Sequence, residues 1–212
     1  MLKIKRFIFN PIQENTYIAM DGAECAIIDP GMSNDDECEA VSAFIADNHL
    51  TLREVLCTHM HIDHVWGTEY LASRYGLKPK ANSRDSRLGK LLPQQVYAFG
   101  LPGHCNALTD FTAIDDGDTI TFGTTTLKVI AVPGHSPGGL TFYCEESDVA
   151  FVGDSIFRGS IGRTDIHGGD HLTLVNAIKT KLLTLPPDTV LLPGHDAPTS
   201  VQDERDFNPF IR

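Results

Sequence analysis

In Thr58-His59-Met60-His61-Ile62-Asp63-His64, three imidazoles and a carboxylate fall within the six residues from His59 to His64. Imidazole and carboxylate are the ligand types that Zn²⁺, Mn²⁺ and Fe²⁺ share. Residues two apart on a helix point in nearly opposite directions, but in an extended segment they lie on one face. His59 and His61 therefore converge only where the chain is extended or looping, unlike the helical zinc motif whose paired histidines sit four apart. The spacing predicts a ligand loop between a strand and a helix. On one side, Arg53 to Cys57 ends apolar, as a buried strand should. On the other, Val65 to Tyr75 carries Thr68, Leu71, Ala72 and Tyr75 at helical spacing before Gly76 stops it.

The strand-then-ligand pattern returns three times. Thr126 to Val132 ends in Pro133-Gly134-His135, Val149 to Val152 in Gly153-Asp154, and Thr189 to Leu192 in Pro193-Gly194-His195. Glycine lets the backbone turn tightly beside a ligand, and proline cannot continue a central strand. In a layered α/β protein, four such strand ends can meet at one edge.

Leu2 to Phe9, Thr16 to Met20 and Ala26 to Ile28 read as consecutive strands, the last ending in Asp29-Pro30-Gly31. Ser33 or Asn34 caps a helix whose first turn is acidic, which complements the positive end of the helix dipole. Thr119 to Phe122, Thr126 to Val132, Leu140 to Cys144 and Val149 to Val152 form a second strand-rich block. Helices over His171 to Leu183 and near Pro198 to Asp206 follow. Residues 82–110 are weakly periodic and rich in Pro and Gly, and are expected to be an insertion or lid over the site. Two strand-rich halves, each with its helices, predict a four-layer αββα sandwich in one domain, 1–212.

The net charge of −11 argues against a nucleic-acid backbone as partner. No apolar run approaches a membrane span and the start is quickly polar, so a cytoplasmic location is expected. The five cysteines are odd in number and make no Cys-x-x-Cys pair. Cys25, Cys57 and Cys144 fall in expected strands as small buried apolar residues. Cys105, in a loop, is expected to be more exposed.

The ligand heptapeptide, followed in order by Gly134-His135, Gly153-Asp154 and Gly194-His195, resembles the metallo-β-lactamase-fold hydrolases. Within them, Gly159-Ser160-Ile161-Gly162-Arg163-Thr164-Asp165 and the tail Glu204-Arg205 with Asn208-Pro209-Phe210 are similar to short, glyoxalase II-like thioesterases. The resemblance implies two divalent metal ions, Zn first, with Fe or Mn as alternatives. His59, His61 and His135 would hold one, Asp63, His64 and His195 the other, and Asp154 would bridge them. It further implies a metal-bridging hydroxide, oriented by Asp63, that attacks the carbonyl of a small acyl thioester of the S-lactoylglutathione type. Two-domain members of that group add a C-terminal helical domain that contacts glutathione. Only a short tail follows His195 here, so weaker glutathione binding is expected. Arg163 is a candidate for supporting the site or meeting an anionic substrate, and His104 a candidate for touching substrate. His49, His167, His171 and Trp66 read as structural. Persulfide dioxygenases share the loop and the Gly-Arg-Thr-Asp segment. There, one iron would sit on His59, His135 and Asp154. A non-catalytic metal-binding protein is the third reading, and Asp63, placed beside the nucleophile, argues against it.

Overall fold

Strands that are mostly buried on both faces build two six-stranded sheets in the computed structural model, which describes residues 2–211. The first holds β1 (Lys3–Phe9), β2 (Glu14–Asp21), β3 (Glu24–Ile28), β4 (Thr51–Leu56), β5 (Lys80–Ala81) and β6 (Thr112–Ala113) in chain order. β1 to β3 pair antiparallel, and β3 to β6 pair parallel. The second sheet holds β7 (Thr119–Phe122), β8 (Thr125–Ala131), β9 (Leu140–Cys144) and β10 (Val149–Gly153). It is completed by β13 (Val190–Pro193) and β14 (Thr199–Ser200), in the order β14-β13-β10-β9-β8-β7. A small hairpin, β11 (Ile156–Phe157) and β12 (Ser160–Ile161), follows β10.

Period-two patterning sorts the side chains. Tyr17, Ala19, Ala26 and Ile28 of the first sheet meet Leu127, Val129, Phe142 and Phe151 of the second in the central core. The intervening residues Ile18, Cys25 and Ile27 point the other way, under α1 (Asp35–Asp47) and α3 (Thr68–Tyr75). On the far side, Tyr143, Ala150, Val152 and Leu191 lie under α6 (His171–Ala177) and α7 (Val201–Phe207). The result is the four-layer αββα sandwich.

Asn34, not Ser33, caps α1: its Oδ1 accepts the Glu37 N–H at 3.0 Å. The helix expected over Val65 to Tyr75 is divided into α2 (Ile62–Val65) and α3. Gly67 sits at the break because its N–H bonds the Pro30 carbonyl at 2.8 Å, and a Cβ there would overlap Met32. α6 is prolonged by one wider π-type turn over Ile178–Leu182.

Segment 82–110 forms two helices, α4 (Ser86–Lys90) and α5 (Leu92–Ala98). Leu88, Leu92, Val96 and Cys105 are buried with Met60, Ile62, Val65 and Trp66 in a fourth cluster. Cys105 is therefore buried, not exposed as expected, because its loop folds back onto the ligand turn. All five cysteines are buried and none forms a disulfide.

Candidate metal centre

Each sheet delivers its candidate ligands from strand ends on one edge. His59 and His61 follow β4, His135 follows β8, Asp154 follows β10 and His195 follows β13, while Asp63 and His64 ride on the first turn of α2. Backbone bonds stitch these ends together within and across the sheets. Leu140 N donates to the Thr58 carbonyl at 2.7 Å, Gly194 N to Gly153 O at 2.9 Å, and Asn15 N to Gly194 O at 2.7 Å. Gly153 makes its turn at φ +51, and a Cβ there would overlap Thr58 Oγ1.

The seven predicted residues meet. One nitrogen each from His59, His61 and His135 lies within 4.8 Å of the others, as do ligand atoms of Asp63, His64 and His195. Asp154 stands between the two triads. Its Oδ2 is 3.5 Å from His135 Nε2 and 3.7 Å from His195 Nε2, and its Oδ1 is 3.4 Å from His64 Nε2. Asp63 Oδ2 lies 3.2 Å from His195 Nε2 and 3.4 Å from His64 Nε2.

Four of the five rings are oriented in one way. Nδ1 is engaged by Thr58 Oγ1 for His59 (3.0 Å), by Asp29 Oδ2 for His64 (3.1 Å), by the Arg163 carbonyl for His135 (2.8 Å) and by the Gln13 carbonyl for His195 (3.3 Å). Such partners fix the tautomer and leave Nε2 as the ligand nitrogen. His59 Nε2, His64 Nε2 and Asp154 Oδ1 are buried without a hydrogen-bond partner. Buried polar atoms are normally satisfied, so three orphans, one from each triad and one from the aspartate between them, fit cations seated on either side of Asp154.

The electrostatics agree. Burial, then the charges of neighbouring histidines, push His59 well below its usual range. Burial and His135 bring His61 down to about 3. Both are neutral and hold lone pairs ready. Burial opposes charge on His64, but Asp154 and Asp63 outweigh it and hold His64 well above its usual value. Burial likewise works to raise Asp154, yet His64 brings it down to about 2. The proton on His64 compensates the two carboxylates in the way that a metal ion would.

Residues 9–195 match the metallo-beta-lactamase superfamily. The chain belongs to that superfamily. Among its relatives, hydroxyacylglutathione hydrolase GloC of Haemophilus influenzae is 36% identical over 94% of this chain and 93% of that one. The human mitochondrial persulfide dioxygenase ETHE1 is 33% identical over 97% of this chain and 75% of its own length. Two solved structures superpose closely. The B3 metallo-beta-lactamase BLEG-1 has a TM-score of 0.89 at 32% identity, covering 99% of both chains. TTHA1623, in a di-iron-bound form, has a TM-score of 0.87 at 33% identity, covering 97% of this chain and 99% of that one.

Two supports of this metallo-β-lactamase-type cluster escape a sequence reading. Asp29, at the end of β3, accepts Thr58 N, Thr58 Oγ1 and His64 Nδ1 at 2.6, 2.7 and 3.1 Å. Its signal was present: a fifth apolar strand ending at Asp-Pro-Gly. Asp85 gave none. Buried before α4, it accepts Met60 N, Ser136 Oγ and Gly138 N, tying the His59 loop to the His135 loop. Arg163 contributes its carbonyl to His135, while its exposed guanidinium pairs with Asp165 at 2.8 and 2.9 Å. His104 does not line the cavity over the cluster. Its ring is bonded to Asn106 and its carbonyl accepts from Trp66 Nε1.

Proposed function

We propose that the chain is a metal-dependent hydrolase of small acyl thioesters, of the hydroxyacylglutathione hydrolase type. The observation that carries this reading is the pair of complete ligand triads meeting at Asp154, beneath a cavity of about 570 Å³. His59, His61 and His135 would hold one divalent ion, Asp63, His64 and His195 a second, and Asp154 would serve both. Such ions polarise a carbonyl and lower the pKa of water toward neutrality.

The protein's own groups supply the rest. Asp29, Thr58 and the Arg163 carbonyl hold the ligand rings in register, so little reorganisation accompanies reaction. Asp63 lines the cavity with a carboxylate held ionised: burial opposes this, but His64 and His195 outweigh it. It is placed to accept a hydrogen bond from an attacking water and so aim it at the substrate carbonyl. The leaving thiolate is a weak base, so no strong general acid is needed. Thioesters are preferred to β-lactams on the higher identity to GloC, 36% against 32% for BLEG-1.

Persulfide dioxygenation is the second reading, favoured by the ETHE1 identity and by the proximity of His135 and Asp154. It leaves Asp63, His64 and His195 without employment, although they are assembled as closely as the first triad.

The test is steady-state kinetics of zinc-loaded and iron-loaded protein on S-lactoylglutathione, other acyl thioesters, a β-lactam and glutathione persulfide. Thioester turnover should exceed β-lactam turnover. It should fall at least about 100-fold in His59→Ala and Asp154→Ala, beyond the roughly 10–100-fold typical of outer partners of a metal site. Metal content should fall while circular dichroism is retained. Oxygen consumption on the persulfide by the iron form, without thioester cleavage, rejects the assignment.

A further inference from the structure

The cavity over the cluster has one apolar wall. Leu88, Leu91, Phe99 and Leu101 supply it from segment 82–110, with Ile12 from the β1–β2 turn. Phe99 is 54% and Ile12 38% exposed, large apolar side chains that the fold leaves in water at this cavity. Gln95 also lines it, with its amide tied to the protein at both ends. Its Oε1 accepts Ile62 N at 3.0 Å and its Nε2 donates to the Leu88 carbonyl at 3.1 Å. Those two bonds instead clamp the wall to the turn that carries Asp63 and His64. The guanidinium at the cavity, Arg163, is offset by both oxygens of Asp165. Among the described lining residues there is thus no unpaired lysine or arginine for a carboxylate-bearing group, while a continuous apolar surface adjoins the reacting centre.

We propose that this wall is a subsite for an aliphatic acyl chain, making butyryl and hexanoyl thioesters better substrates than acetyl or lactoyl ones. The proposal rests on the thioesterase reading. The acyl arm is assigned to the wall because Arg163 and His167, which flank Ile166 on the separate loop after β12, suit the more polar thiol arm, whereas Gln95 is the one polar side chain on the wall side.

The experiment uses the full-length zinc-loaded chain with acetyl, butyryl and hexanoyl thioesters of N-acetylcysteamine. KM is expected to fall roughly two- to fourfold per methylene, as burial of each CH₂ dictates. kcat should change little, as for uniform binding. Phe99→Ser and Leu91→Ser should flatten that slope. Tyr97→Ser, inside α5 between those two positions but 90% exposed and outside the cavity lining, should retain it. A parallel calorimetric titration with acetate, butyrate and hexanoate reads the subsite without turnover. A chain-length slope there with no thioester cleavage keeps the subsite and rejects the reaction. Cleavage with KM indifferent to acyl length, or following instead the alkyl length of the thiol, overturns the subsite.

Discussion

His64 shows how a single residue links protonation to metal. A ligand nitrogen must be neutral, yet Asp154 and Asp63, outweighing the opposing effect of burial, keep this imidazole protonated well above its ordinary range. An entering ion must displace that proton. His195 is raised in the same sense: burial opposes, but Asp63 and Asp154 prevail. His59 and His61 are pushed down and carry no proton to lose near neutrality. Metal affinity should therefore rise with pH and stop gaining from His64 once the pH passes its raised pKa. Calorimetric zinc titrations at neutral pH, in two buffers of different ionisation enthalpy, should show net proton release. Proton uptake, or no exchange, contradicts the arrangement. The cluster of candidate ligands was legible in the sequence because their residue types and spacing have few other uses. Asp85 was not, and Asp29 showed only its strand end and not its role, since a lone aspartate beside a turn looks like a turn former until tertiary contacts show what it holds.

At the scale of elements, the strand ends depend on backbone shape as much as on side chains. Gly153 turns β10 toward Asp154 at φ +51, and a side chain there would strike Thr58 Oγ1, the hydroxyl that bonds Asp29. Gly153→Ala should cost about 1–3 kcal/mol of stability, the usual range for a strained backbone position. It should weaken metal binding as well, because Thr58 would have to shift. Urea unfolding and zinc titration of the variant test this, and unchanged values in both would show that the turn is not constrained. The strands leading into these turns were readable from β-branched runs closed by glycine or proline. Segment 82–110 was not. Its helices are short, Pro93 interrupts the period, and their apolar residues are divided between the core beneath and the cavity wall, so no single face repeats.

Over the whole molecule, the four layers were legible because two strand-rich blocks flanked by helices have few other ways to bury both sheet faces. Strand order was not, since the pairing of β10 with the distant β13 depends on contacts that no local pattern encodes. This layering places stability and metal binding in different parts of the fold. The central core and the two outer helix–sheet cores contain none of the seven candidate ligands. The chelated protein should therefore remain folded and unfold cooperatively. Metal that binds only the native state, at about 100 times its dissociation constant, adds roughly 2.7 kcal/mol. At ~2–4 °C per kcal/mol for a chain of this size, chelation should lower Tm by on the order of 5–10 °C. The loss should grow toward alkaline pH. With its folded pKa raised above the unfolded value of 6.5, His64 contributes stability to the metal-free protein that is fully present below 6.5 and lost as pH rises through the raised pKa. Thermal scans with and without chelator across pH test both statements. A metal-free chain that is unfolded at every pH would mean that the ligand edge, and not the layered cores, holds the sandwich together.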